Sequence, residues 1–86
     1  MTVIEQCIVA SIECADRFRL GRSVEAGLDM LEVFATADSV FELGPSVVQQ
    51  QWAQLLMSML ACQQSQDWLG LADFMQYELV ELLHTY

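Results

Sequence analysis

The sequence predicts an all-α fold: two antiparallel helical hairpins forming a four-helix bundle or a tetratricopeptide-like stack. Two observations carry that reading. Apolar residues recur at the three-and-four spacing of a helix face in four segments, each opened by a side chain suited to an N-cap. The connections between segments are only a few residues long, which forces consecutive helices to lie antiparallel. With 86 residues the chain is expected to form a single helical domain over 1–86, of a size that buries only roughly 60–65% of its unfolded surface.

Thr2-Val3-Ile4-Glu5 has the form of a capping box, so the first helix opens at Thr2 and runs to about Leu20, ahead of Gly21. Val3, Ile4, Cys7, Ile8, Cys14, Ala15 and Phe18 fall on its apolar side, with Glu5, Gln6, Glu13, Asp16 and Arg17 opposite. Ser23 reads as the N-cap of the second helix, whose buried stripe is expected to be Val24, Leu28, Leu31, Phe34 and Ala35. A straight helix to Leu43 would rotate Asp38 and Glu42 onto that stripe, so a break or kink is expected near residues 36–39. Gly44-Pro45 closes this half.

Ser46 with Gln49 reads as a second capping box, opening a third helix in which Val48, Trp52, Leu55, Leu56, Met59 and Leu60 share a face. A tight connection at Ser65-Gln66-Asp67 makes Asp67 the N-cap of a fourth helix, from Trp68 to about His84. In that helix Trp68, Leu71, Ala72, Met75, Leu79, Leu82 and Leu83 fall within a sector of about 120°. Leu69, Phe74, Tyr77 and Val80 lie outside it, which implies cover on more than one side. The two halves share a cysteine near the end of the first helix, a short turn and an apolar-periodic second helix, a likeness too degenerate to define a repeat.

Apolar residues make up 55% of the chain, with twelve Leu, eight Val, five Met, four Phe and two Trp. That is more than one small core hides, and the surplus argues for a protein partner or a second copy of the chain. The net charge is −9, with Arg17, Arg19 and Arg22 the only bases, no Lys, and acids alone beyond residue 22. Such a surface repels phosphate backbones, which argues against nucleic-acid binding, and it favours a basic partner. The longest uncharged stretch, residues 43–66, is interrupted by Gln49, Gln50, Gln51, Gln54 and Ser58. Its apolar centre is shorter than the ~20 residues of a membrane span, so no membrane association is expected.

No constellation points to catalysis, and the protein is expected not to be an enzyme. Cys7, Cys14 and Cys62 form an odd set in a chain that opens without a charged leader or apolar signal core, which suggests a reducing cytoplasm. Cys7 and Cys14, two helical turns or about 10 Å apart, are too distant to bridge. They read as inert core thiols. His84 is the single histidine, and no Cys-x-x-Cys or His-x-x-x-His pair exists, so no metal or cofactor is expected. Glu78 and Glu81 border a solvent-facing flank, where paired carboxylates do not become an acid–base device. Without a Gly-rich loop or a Lys, nucleotide chemistry is excluded.

Three groups stand out as recognition surfaces. Gln50, Gln54 and Met57, with Gln51 and Ser58, make the outer face of the third helix polar yet uncharged, which costs less to desolvate than a charged face. Asp73, Tyr77 and Glu81 form a polar-tipped i, i+4, i+8 stripe on the fourth helix. Arg17, Arg19 and Arg22 form a basic corner that complements the first helix's dipole and could dock the acidic stripe of helix two or four in another copy.

The string Asp67-Trp68-Leu69-Gly70-Leu71-Ala72-Asp73-Phe74-Met75-Gln76-Tyr77-Glu78-Leu79 resembles the C-terminal helix of a group of small uncharacterised bacterial all-helical proteins. Gly21-Arg22-Ser23-Val24-Glu25-Ala26, followed by Leu28 and Leu31, is similar to that group's first half, and the two segments cover under half of the chain. Some members accompany motility genes, and the group is loosely similar to flagellar and type III export chaperones. The resemblance implies a cytoplasmic chaperone or adaptor for a motility- or secretion-linked protein. The alternative is a structural homodimerisation module without a separate client.

Overall fold

The computed structural model describes residues 2–85, and among them the regular structure is helical throughout. Helix α1 spans Val3–Arg19 and opens as expected: the Glu5 N–H donates to the Thr2 hydroxyl at 3.1 Å, and that hydroxyl donates to the Glu5 carboxylate at 3.2 Å. It ends in a Schellman turn. The Gly21 N–H donates to the Phe18 carbonyl at 3.2 Å and the Arg22 N–H to the Arg17 carbonyl at 3.0 Å, with Gly21 left-handed at φ 78°.

Helix α2 spans Ser23–Glu42 without interruption, so the kink expected near residues 36–39 does not form. The cause is a different buried face. Ala26, Met30, Val33, Ala37, Val40 and Phe41 point inward, while Val24, Leu28 and Leu31 are 79%, 65% and 60% exposed. Asp38 and Glu42 share the outward stripe with those leucines, so the straight helix costs no buried charge. The cap also shifts by one residue: Arg22 holds the N-cap position, with no side-chain cap bond, and Ser23 is already helical.

Helix α3 spans Ser46–Gln64, with Pro45 at its N-cap, so the expected Ser46–Gln49 box is absent. Gln49 instead turns back, its amide donating to the Glu42 and Gly44 carbonyls at 3.0 Å each, and ties the end of α2 to the start of α3. A second Schellman turn closes α3: the Gln66 N–H donates to Gln63 at 3.1 Å and the Asp67 N–H to Cys62 at 2.8 Å. Asp67 then caps α4, Trp68–Asp73, accepting from the Gly70 N–H at 3.0 Å. The chain continues without a break through a π turn, Phe74–Glu78, into α5, Leu79–Thr85, so these three segments form one C-terminal rod.

The helices are neighbours in a ring, α1 beside α2, α2 beside α3, α3 beside the rod and the rod beside α1. That is the adjacency of a four-helix bundle, not of a linear stack. Both hairpins are closed by the same three-residue turn, and the buried positions around it correspond. Cys7, Cys14, Ala26 and Met30 around the first turn are answered by Trp52, Met59, Leu71 and Met75 around the second.

Three aromatic contacts join the halves. Phe18 of α1 stacks on Trp68 at 5.6 Å with rings 8° apart, closing the end where both turns sit. Trp52 of α3 meets Phe41 at 5.3 Å and Phe34 edge-on at 5.9 Å, and its indole N–H donates to Asp38 at 3.2 Å. The buried indole thus has its partner on the outward-turned acid of α2.

The two turns differ in one respect, since Gln66 occupies at φ 59° the left-handed position that Gly21 fills in the first. A side chain there costs about 1 kcal/mol relative to glycine. Urea denaturation is expected to show Gly21→Ala destabilised by about 1 kcal/mol, and Gln66→Gly unchanged or stabilised by up to about 1 kcal/mol.

Candidate functional site

The surfaces available for recognition follow from how α1 is enclosed. Its inner seam is made of small side chains, with Cys7, Ser11, Cys14 and Ala15 all fully buried. Small residues let neighbouring backbones come near, and here they come within hydrogen-bonding reach. The Ser11 hydroxyl donates to the Met75 carbonyl in the π turn at 2.6 Å, and the Cys14 thiol donates to the Ala26 carbonyl of α2 at 3.2 Å. Cys7 reaches the Val33 carbonyl at 3.9 Å. Burial pushes the Cys7 thiol up to about 11 and, with the nearby Asp29 carboxylate adding to it, the Cys14 thiol up to about 12. Neither is a nucleophile at neutral pH. Cys62 is half-buried, its thiol shifted upward by desolvation and by Asp67.

The basic corner is engaged within the chain. Arg17 pairs with Asp29 of α2 at 2.9 Å and with Glu13 at 4.0 Å, lying across a groove between α1 and α2 whose floor includes Cys7 and Val33. Arg19 pairs with Asp73 of the rod at 2.9 Å and also donates to the Gln76 side chain. The acidic stripes of helices two and four that were expected to meet these arginines from another copy therefore meet Arg17 and Arg19 from their own. Arg22 is different. It lies 63% exposed in the first turn, with only Glu25, three residues on, at 3.9 Å.

The six residues picked out on the third and fourth helices are all exposed. Gln50, Gln54 and Met57 stand outward on α3, Met57 at 72% exposure, and the face carries no charge along the whole helix. Asp73, Tyr77 and Glu81 stand outward on the rod, Asp73 held by Arg19. Around Tyr77 lies a shallow apolar groove over Gly70 and Phe74, rimmed by Asp73 and Glu78. No hydrogen bond or ion pair among the described residues links the α3 group to the rod group, so they stand as two surfaces.

Sequence reasoning missed two elements of this surface. The groove arises because Phe74 is only half-buried beside Gly70, and Phe74's place outside the main apolar sector was the available signal. The exposed stripe Val24, Leu28 and Leu31 was visible as a pattern but assigned to the wrong side of the helix. A second small depression, between α2 and α3, has Phe41 and Trp52 within it and Asp38 and Glu42 at its edge.

Among the described residues no group of three or more His, Cys, Asp or Glu side chains is placed to hold a metal ion. No described helix is long and apolar enough to cross a membrane. No family model, curated protein or solved structure matches the chain.

The thiol environments give a direct check. A thiol that stays protonated in the folded state to about 11 or 12, but has an ordinary value of 9.0 when unfolded, stabilises the fold below pH 9, and this contribution is lost as pH rises through the folded value. Unfolding free energy is therefore expected to fall between pH 9 and 11, and Cys7→Ala with Cys14→Ala should flatten that slope. Alkylation of the native protein at pH 8 is expected to modify Cys62 alone, with Cys7 and Cys14 reacting only after denaturation.

Proposed function

We propose that this chain is a non-catalytic protein-interaction module that receives an apolar helix or strand of a client protein on the outer face of α3. The observation that carries the reading is that face itself: from Ser46 to Gln64 no residue is charged, and Met57 and Val47 stand 72% and 58% exposed among glutamines. Uncharged amides lose less on desolvation than Lys or Glu, and an exposed methionine adapts its shape to what it meets. The apolar groove at Gly70, Phe74 and Tyr77, with Asp73 and Glu78 at its rim, offers a second contact of the same chemistry.

Charge adds direction to this reading. With a net charge of −9 the module attracts a client carrying basic residues beside its apolar segment, so salt should slow association more than it speeds dissociation. A cytoplasmic chaperone or adaptor for a motility- or secretion-linked bacterial protein fits these properties, as the resemblance of residues 67–79 and 21–31 implies.

The test is capture followed by reconstitution. The immobilised chain, exposed to a lysate of its source organism, is expected to retain a defined protein whose purified form binds again, and Met57→Glu should weaken that binding at least about tenfold. Met57 is exposed, so the variant should keep its helicity by circular dichroism. Retention of nothing above background, or binding indifferent to Met57→Glu and Tyr77→Ala together, would overturn the proposal.

A further inference from the structure

The aromatic side chains divide into two groups. Phe18, Phe34, Phe41, Trp52 and Trp68 are all taken up in ring contacts within the bundle. Phe74 and Tyr77 of the rod belong to no such pair among the described residues, and both line one shallow groove of 290 Å³. Gly70 forms its N-terminal end and leaves the half-buried Phe74 ring open, while Tyr77 stands 61% exposed beside it. The charge around this groove has one sign, since residues 67–86 include Asp67, Asp73, Glu78 and Glu81 but no Lys or Arg. Arg19 reaches in from α1 and holds Asp73 at 2.9 Å. Glu78, exposed at the rim, has no ion pair or side-chain hydrogen bond among the described residues.

We infer that this groove receives an arginine side chain of the client, its guanidinium lying against the Tyr77 and Phe74 rings and donating to the Glu78 carboxylate. Aromatic faces attract a cation through their quadrupole, and a guanidinium is flat enough to stack on them. Its aliphatic stem suits the apolar floor. A purely apolar side chain would cover Glu78 and leave that charge without a partner, and an acidic one would be repelled. An ammonium, compact and strongly hydrated, gives up more water for the same position. The groove between α1 and α2 has acids at its edge too, Glu13, Asp29 and Glu32, but there the chain's own Arg17 already lies across it. The rod groove has the acid and the rings without the guanidinium. The inference rests on the client reading and names what a basic residue of that client meets.

Amide chemical shifts of the full chain, followed while the capped dipeptide acetyl-arginyl-leucine amide is added, test it. Saturable shifts are expected at Gly70, Phe74, Tyr77 and Glu78, with a dissociation constant in the roughly millimolar range. The same dipeptide with citrulline, neutral and nearly isosteric, should bind at least about fivefold more weakly, and so should the arginine probe to Tyr77→Ala or Glu78→Gln. Both positions are exposed, so circular dichroism should show the variants as helical as the wild type. Glu25→Gln, which removes an exposed acid from α2, and Met57→Glu on α3 should leave the shifts at the rod in place. No saturable shift up to about 20 mM probe overturns the inference. So do equal affinities for arginine and citrulline, shifts centred on another element, or binding indifferent to Tyr77→Ala and Glu78→Gln. Probe binding at the rod when a lysate yields no client would keep the groove and remove the client reading. A client held through Met57, with no probe shift at the rod, would do the reverse.

Discussion

The structure depends on the near approach of two helix backbones to α1. Ser11, Cys14 and Cys7 hydrogen-bond to carbonyls of the π turn and of α2, contacts that side chains of this size make only when the helices are pressed together. The facing residues are small to match, with Ala26 and Ala37 on α2 and Ala72 on the rod, all fully buried. A short separation at α1 leaves little interior volume, so the core is filled by Met30, Met59, Met75 and Phe41 at its ends and flanks. A thin core also leaves much of the chain's apolar surface with nowhere to go. The exposed leucines of α2 and the bare face of α3 are, on this view, a consequence of tight packing at α1.

That constraint explains what could and could not be read from the sequence. The local signals were legible because they are local: Thr2 and Asp67 cap as their side chains suggest, and the Ser65-Gln66-Asp67 connection is as tight as expected. The buried faces of α1 and the rod were legible too, since each carries one dominant apolar sector, although Val3, in the first turn of α1, stands 58% exposed rather than on the buried side. Helix α2 carries two. Hydrophobicity alone favours the stripe of Val24, Leu28 and Leu31 over one that begins with Ala26 and includes Ala37, yet the alanines are the ones that fit against Cys14 and its neighbours. The misjudged kink followed from that choice, because Asp38 and Glu42 conflict only with a leucine stripe turned inward. The π turn left no local mark. Its wider winding keeps Met75, Leu79 and Leu83, spaced by four, on one face, and its carbonyl partner Ser11 lies far away in sequence.

The candidate surfaces were legible in proportion to their independence from packing. Gln50, Gln54, Met57, Tyr77 and Glu81 are exposed whichever way the bundle is assembled, and they emerge where periodicity placed them. The arginines depend on tertiary neighbours, and only the fold shows that Arg17 and Arg19 are tied to α2 and to the rod while Arg22 is not. Exposed ion pairs of this kind add little to stability, on the order of 0–1 kcal/mol each, so their larger effect is to decide which charge is left for a partner.

The central claim, that small residues at the α1–α2 seam select which stripe of α2 is buried, is tested most directly by the unfolding free energies of two substitutions. Both are measured in urea at protein concentrations low enough to keep the chain monomeric. Ala26→Leu, which adds bulk where the Cys14 thiol meets the α2 backbone, is predicted to destabilise by about 1–3 kcal/mol, whereas Leu31→Ala should change stability by less than about 0.5 kcal/mol. The account is contradicted if Leu31→Ala costs the roughly 2–5 kcal/mol of a core truncation while Ala26→Leu is tolerated.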